Sequence, residues 1–140
     1  MAIPFLSCMI AAAAFYHLPP RVLPSIQAVE GGNLGSVHLN TDGSQDLGLM
    51  QVNTRWLQPL SRVSRLTPAV VRVRLLGDGC FNIAAAAAIM RTYLNESDGN
   101  LMLAVGYYHS HTLGLRQDYQ ARVLQSATML FVRPGAGRAH

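Results

Sequence analysis

The chain has 140 residues, half of them hydrophobic, which is enough for one well-buried core but too short for two comfortable domains. Its net charge of +4 comes from eleven arginines scattered along the sequence, with seven carboxylates as the only acids. Scattered arginines without an accompanying aromatic platform argue against a nucleic-acid-binding protein. No apolar run reaches the ~18 residues of a membrane-spanning helix, so we expect no such span.

The apolar stretch over residues 5–16 predicts a first helix, which Pro19 and Pro20 terminate. A cleaved secretory signal is the alternative interpretation, but the stretch lacks the basic residues that normally precede one. A second helix is predicted from Pro20 to Glu30, ending at Gly31 and Gly32. Both segments are therefore expected to belong to the folded domain.

Residues 33–46 are rich in turn-forming residues and predict a loop or small hairpin. Helical patterns then return to the end of the chain. They cover residues 51–60, 67–76, 81–94, 100–109 and 116–132. We therefore predict an α+β, mainly helical fold with a β-hairpin between about 36 and 47, a single domain over 1–132, and a flexible tail over 133–140.

Glu30 is the acid that the helical pattern distinguishes. It follows Leu23, Ile26 and Gln27 at the spacing of one helix face, so its carboxylate shares an inward face with apolar side chains. Partial desolvation raises a carboxyl pKa and suits the group to general acid catalysis near neutral pH. A surface glutamate at a frayed helix end is the alternative. Asp42 and Asp46 lie in a segment typical of turns.

The segment NTDGSQDLGLMQVNTRW at 40–56, preceded by Glu30, closely resembles the core of the lysozyme superfamily. There a catalytic glutamate ends a helix and a hairpin leads to a Gly-Leu-Met-Gln motif. Within that superfamily the chain is most similar to the lytic transglycosylases, especially the small ones that accompany conjugation and other secretion systems. The likeness extends from Cys8 to about Val123 and implies a lysozyme-like fold.

The resemblance also implies roles for individual residues. Glu30 would be the general acid and base, while Gln51 and the backbone around Met50 would hold an N-acetyl sugar. Tyr108 matches an aromatic residue expected beside the catalytic glutamate and the substrate. Asn82 matches an asparagine whose role is either structural or substrate-facing.

The resemblance pairs Cys8 with Cys80, and such a disulfide implies an oxidising compartment. The chain also departs from the family pattern. Gly31 replaces the serine that usually follows the catalytic glutamate, and His109 and His111 replace asparagine and glycine after Tyr108. These changes leave open whether Tyr107 or Tyr108 faces the groove. The two histidines have no evident third ligand partner, so we expect no metal site.

Asp46 separates two chemistries. C-type lysozymes, which the segment 40–56 also resembles, have a second carboxylate at this point, and a glutamate acid with an ionised aspartate supports hydrolysis. A lytic transglycosylase needs only the glutamate, because the attacking hydroxyl belongs to the muramic acid itself. We rank the transglycosylase reaction above the hydrolysis, with a non-catalytic glycan-binding module as a further alternative.

The resemblance thus predicts a periplasmic bacterial enzyme that cleaves peptidoglycan glycan strands. Secretion or conjugation machinery proteins are candidate partners. We expect no cofactor and a monomeric protein.

Overall fold

The computed structural model of the protein describes residues 2–132. Helices dominate it and surround a small antiparallel sheet in the order β1-β2-β3. The helices are α1 (Leu6–Phe15), α2 (Val22–Glu30), α3 (Leu57–Ser64), α4 (Pro68–Gly77), α5 (Gly79–Glu96), α6 (Leu101–His109) and α7 (Leu113–Phe131). The strands are β1 (Val37–Leu39), β2 (Gln45–Leu47) and β3 (Val52–Asn53), and a short 3₁₀ helix spans Thr54–Trp56. This confirms the α+β, mainly helical, lysozyme-like fold.

Polar residues begin three of the helices where turn chemistry precedes an apolar run. The side chain of Thr67 accepts a hydrogen bond from the Val70 amide at the start of α4. Asp78 and Asn100 do the same for α5 and α6. Each such cap satisfies an amide that the first helical turn leaves without a partner. The starts of α4 and α6 therefore fall where the sequence predicted them, to within one residue.

The predicted helix over residues 51–60 is wrong in its first half. Gln51 has a φ of 54°, Val52 pairs with Leu47 in the sheet, and α3 begins only at Leu57. The side chain of Asn53 accepts a hydrogen bond from the Arg55 amide and so starts the 3₁₀ helix. Pairing with β2 buries Val52, and this tertiary contact outweighs the helical pattern.

Helix α5 lies at the centre of the core. Its alanines 85–87 are buried and allow close approach of the neighbouring helices α1 and α6. Helix α7 packs against both α2 and α6, which places the last helix behind the end of α2. A disulfide joins Cys8 of α1 to Cys80 of α5, with the two Cα atoms 5.4 Å apart.

No single helix within residues 2–132 has the length and apolar character needed to cross a membrane. In this part of the chain α4 and α5 would qualify only if taken together, and they are bent by 113° relative to each other. The expected tail at 133–140 lies outside the described residues.

Candidate active site

A cleft lies between the end of α2, the small sheet and the end of α6. Four of the residues that the sequence singled out line it: Glu30, Asp46, Gln51 and Tyr108. Their elements are far apart in the chain, so packing of the helices and the sheet creates the site. The remaining lining residues are Asn40, Thr41, Asp42, Ser44, Val52, Asn53, Arg55, Trp56, Ile89 and His109.

Glu30 is the last residue of α2 and is half-buried. The pKa of its carboxyl is raised to about 7, chiefly by burial and in addition by the nearby charge of Asp46. A hydrogen bond from Tyr119 and the charge of Arg122 oppose this shift. The environment is therefore the partly desolvated one that the helix spacing predicted, and it leaves the carboxyl able to give or take a proton near neutral pH.

Tyr119 is a site residue that the sequence reasoning missed. Its hydroxyl donates a 2.7 Å hydrogen bond to Oε2 of Glu30, and the side chain is 1% exposed. It lies on α7, where Val123 follows it one turn later and is also buried. This spacing is typical of a helix face that points into the core. It was the only feature of the sequence by which Tyr119 could have been found. The imidazole of His109 stacks on the Tyr119 ring, with centroids 4.9 Å apart.

The end of α2 approaches the Gly48–Gln51 turn so closely that a side chain is excluded at Gly32. A Cβ atom there would collide with the Gly48 carbonyl and lie 2.7 Å from the Leu49 oxygen. Within the turn, Nε2 of Gln51 donates to the Gly48 carbonyl at 2.9 Å. The close approach of Gly32 to this turn keeps the end of α2 near the sheet side of the cleft.

Tyr108 lines the cleft, and its hydroxyl donates a 2.8 Å hydrogen bond to the carbonyl of Met50. It is Tyr119, and not Tyr108, that donates a hydrogen bond to Glu30. Tyr107 takes a different direction and stacks on His111, with ring centroids 4.0 Å apart. The ambiguity between the two tyrosines is resolved in favour of Tyr108 as the residue that lines the cleft.

Asn82 does not line the cleft, and it is 0% exposed. Its Oδ1 accepts a 2.8 Å hydrogen bond from the Met50 amide. Its Nδ2 donates to the carbonyls of Leu47 and Leu75, each at 2.9 Å. These hydrogen bonds hold the turn against α4 and α5, and they favour the structural one of the two roles that the resemblance left open.

Met50 is likewise not exposed to the cleft, since its side chain is 0% exposed. Its backbone amide is bonded to Asn82 and its carbonyl to Tyr108. Both polar groups of the Met50 backbone thus have partners within the protein, and the expectation that the backbone around Met50 holds a sugar stays a prediction. A motif match reveals which residues belong to the site but not which of them face it.

Asp46 lies on β2, paired with His38 on one side and Asn53 on the other. Oδ1 of Asp46 accepts a 3.0 Å hydrogen bond from Nδ2 of Asn53. Asp42 instead serves the turn, since its carboxylate accepts bonds from both the amide and the hydroxyl of Ser44. These hydrogen bonds keep the pKa of Asp42 below its usual value. Asp46 is thus the carboxylate whose charge acts on Glu30.

The two histidines after Tyr108 have different surroundings. His109 lines the cleft, whereas Nε2 of His111 lies 2.7 Å from a carboxylate oxygen of Glu96. Burial lowers the pKa of His109, and the charge of Arg122 lowers it further. Over residues 2–132, no group of three His, Cys, Asp or Glu side chains is arranged to hold a metal ion.

Comparison with known proteins identifies the family of this arrangement. The model of the transglycosylase SLT domain matches residues 7–125. The chain belongs to this family. It is also similar to the invasion protein IagB of Salmonella typhimurium strain SL1344 and strain LT2, at 28% identity over 116 residues, covering 82% of this chain and 69% of the relative. The invasion protein IagB of Salmonella typhi matches with the same identity and coverage.

An SLT transglycosylase domain acts on peptidoglycan by lytic transglycosylation, a lyase-type reaction, and this implies action outside the cytoplasm. Within this SLT domain, Gly31 adopts a φ of 67° directly after Glu30. Its amide donates to the carbonyl of Gln27 and closes the end of α2. Glycine is the residue best suited to this left-handed helix end, which accounts for its presence where the family usually has serine.

Proposed function

We propose that the protein is a lytic transglycosylase that cleaves the β-1,4 bond between N-acetylmuramic acid and N-acetylglucosamine, with Glu30 as general acid and base and 1,6-anhydromuramic acid as product. The observation that carries this proposal is the setting of Glu30. Its carboxyl is half-buried, accepts a hydrogen bond from Tyr119, and has a pKa raised to about 7. A group with that pKa is populated in both protonation states at neutral pH.

In the first step the protonated Glu30 donates its proton to the glycosidic oxygen as the bond to the muramic C1 breaks. Positive charge then develops at C1 and the ring oxygen. In the second step the Glu30 carboxylate takes the proton of the muramic C6 hydroxyl, whose oxygen bonds to C1. The carboxyl is thereby returned to its protonated form, and no water is consumed.

Proximity favours the internal attack. The C6 hydroxyl belongs to the sugar that carries the developing charge, so it has a large effective molarity relative to free water. Gln51 fits the task of holding the sugar, because it lines the cleft and its Nε2 is anchored to the Gly48 carbonyl. Tyr119 is a positioning residue, since its hydroxyl fixes one oxygen of Glu30.

Asp46 is assigned a supporting role. Its charge lies near enough to raise the pKa of Glu30, and it lines the same cleft. A carboxylate there also stabilises positive charge at C1 electrostatically. The same observation favours a second candidate, muramidase hydrolysis with Glu30 and Asp46. A binding module without turnover is disfavoured, because a desolvated acid costs stability and a module that only binds a glycan has no need of one.

We further propose that the enzyme acts in the bacterial periplasm and opens the wall locally for a secretion or conjugation apparatus. Three considerations support this. The disulfide between Cys8 and Cys80 suits an oxidising compartment. The substrate lies outside the cytoplasm, and the relatives that match over 116 residues are named invasion proteins.

Mass spectrometry of digested peptidoglycan tests the reaction. Purified protein should release fragments that end in 1,6-anhydromuramic acid, which differ from hydrolysis products by one water. Glu30→Gln should reduce their release by ~10²- to 10⁴-fold, because the amide cannot transfer the proton. Fragments that end only in hydrated muramic acid would replace the transglycosylase assignment by the muramidase one.

A further inference from the structure

Arg55 is an exposed residue that lines the cleft. Among residues 2–132 it is the only arginine that lines the cleft, where three carboxylates, Glu30, Asp42 and Asp46, also lie. Neither of the ion pairs formed within these residues includes it; they join His111 to Glu96 and Arg122 to Asp118. An exposed guanidinium in an acidic cleft without an ion-pair partner is available to a ligand.

The guanidinium is held in place by uncharged groups. Its Nη2 donates a 3.1 Å hydrogen bond to the hydroxyl of Tyr93, and its Cζ lies 6.0 Å from the centroid of the Trp56 ring. Tyr93 is buried and also contacts the Trp56 ring edge-on, at 5.8 Å between centroids. A fixed guanidinium loses less conformational entropy when it binds a planar anion, and its remaining N–H groups match a carboxylate.

We propose that Arg55 is a specificity-determining residue that binds a carboxylate of the glycan substrate. The proposal rests on the proposed function, which places a muramic acid strand in this cleft. A strand made of N-acetylglucosamine alone is uncharged. A muramic acid unit bears a carboxylate, either on its lactyl group or, where a peptide is attached, on that peptide. Arg55 therefore distinguishes muramic acid strands from neutral ones of the same backbone.

Binding measurements in the Glu30→Gln background, which prevents turnover, test this proposal. Isothermal titration would compare three ligands: glycan fragments with their peptides, the same fragments stripped by an amidase to free lactyl carboxylates, and chitohexaose. Arg55→Gln should weaken the carboxylate-bearing ligands by about 10-fold, the usual scale for a charge-assisted hydrogen bond at a partly exposed site. Arg55→Lys should recover only part of the lost affinity, because lysine keeps the positive charge but lacks the paired N–H donors of the guanidinium.

Arg62→Gln is the matched control, since Arg62 is exposed on α3 outside the cleft and its loss changes the net charge equally. It should leave all three affinities unchanged. A loss confined to peptide-bearing fragments supports the proposal with a peptide carboxylate, and a loss with stripped fragments supports it with the lactyl group. An equal loss for chitohexaose, or no loss for any ligand in Arg55→Gln, would overturn it. Failure of all three ligands to bind the parent would overturn the proposed function as well.

Discussion

Tyr119 and Glu30 are separated by 89 residues in the chain, yet the tyrosine hydroxyl donates a 2.7 Å hydrogen bond to the glutamate. The bond connects α7 to the end of α2, two helices that pack against each other. It favours the ionised carboxylate, whereas burial favours the neutral acid. The pKa of about 7 results from this opposition.

Tyr119→Phe should therefore raise the pKa of Glu30 above its present value, because the substitution removes a donor to the charged form. The protonated form that donates to the glycosidic oxygen then persists to higher pH, so the pH optimum of cleavage should shift upward. A pH–rate profile on purified peptidoglycan measures this. Tyr107→Phe is the control, because Tyr107 stacks on His111 rather than contacting Glu30. An unchanged optimum in Tyr119→Phe would contradict the assigned role.

Glu30→Gln should stabilise the protein at pH 8 and have little effect at pH 4. The pKa of Glu30 rises from 4.5 to about 7 on folding, so the unfolded chain loses the proton first as pH increases. The free energy of unfolding therefore falls between these pH values, and above pH 7 the full cost of about 3 kcal/mol applies. The glutamine amide does not have this cost, because it carries no charge at either pH. Urea denaturation at both pH values measures the difference, and an equal effect at both would show that the carboxyl is not desolvated.

Asp46→Asn should lower activity by an intermediate factor, about 10-fold, while the 1,6-anhydro sugar remains the main product. The amide loses the charge that stabilises the transition state, but its oxygen can still accept the hydrogen bond from Asn53. Product analysis alongside the rate decides between the mechanisms. Complete loss of activity, with hydrated products from the unsubstituted protein, would identify Asp46 as half of a hydrolytic pair.

Asn82→Ala should destabilise the fold strongly without altering the chemistry of molecules that remain folded. Its amide satisfies the Met50 amide and the carbonyls of Leu47 and Leu75, and each buried group left unpaired costs about 1–3 kcal/mol. Thermal denaturation should show a much lower Tm. The KM of the folded fraction, measured well below that Tm, should be unchanged. A raised KM with normal stability would return Asn82 to the substrate-binding residues.

The sequence by itself predicted most of the helices and singled out Glu30 among the seven acids. Glu30 could be found because its apolar helix neighbours Leu23 and Ile26 recur at helical spacing, and both are fully buried. Caps such as Thr67 and Asn100 are local, so the starts of α4 and α6 could be predicted. The resemblance around residues 40–56 added the family.

Only the tertiary structure decided what surrounds the acid. The hydrogen bond from Tyr119 depends on the packing of α7 behind α2. Val52 and Asn53, within the predicted helix at 51–60, became part of the sheet because β2 pairs with them. Asn82 and Met50 belong to the motif but point inward, whereas Arg55 joins the cleft. Local spacing records the period of a helix or strand, but the pKa of Glu30 depends on distances between segments that only packing brings together.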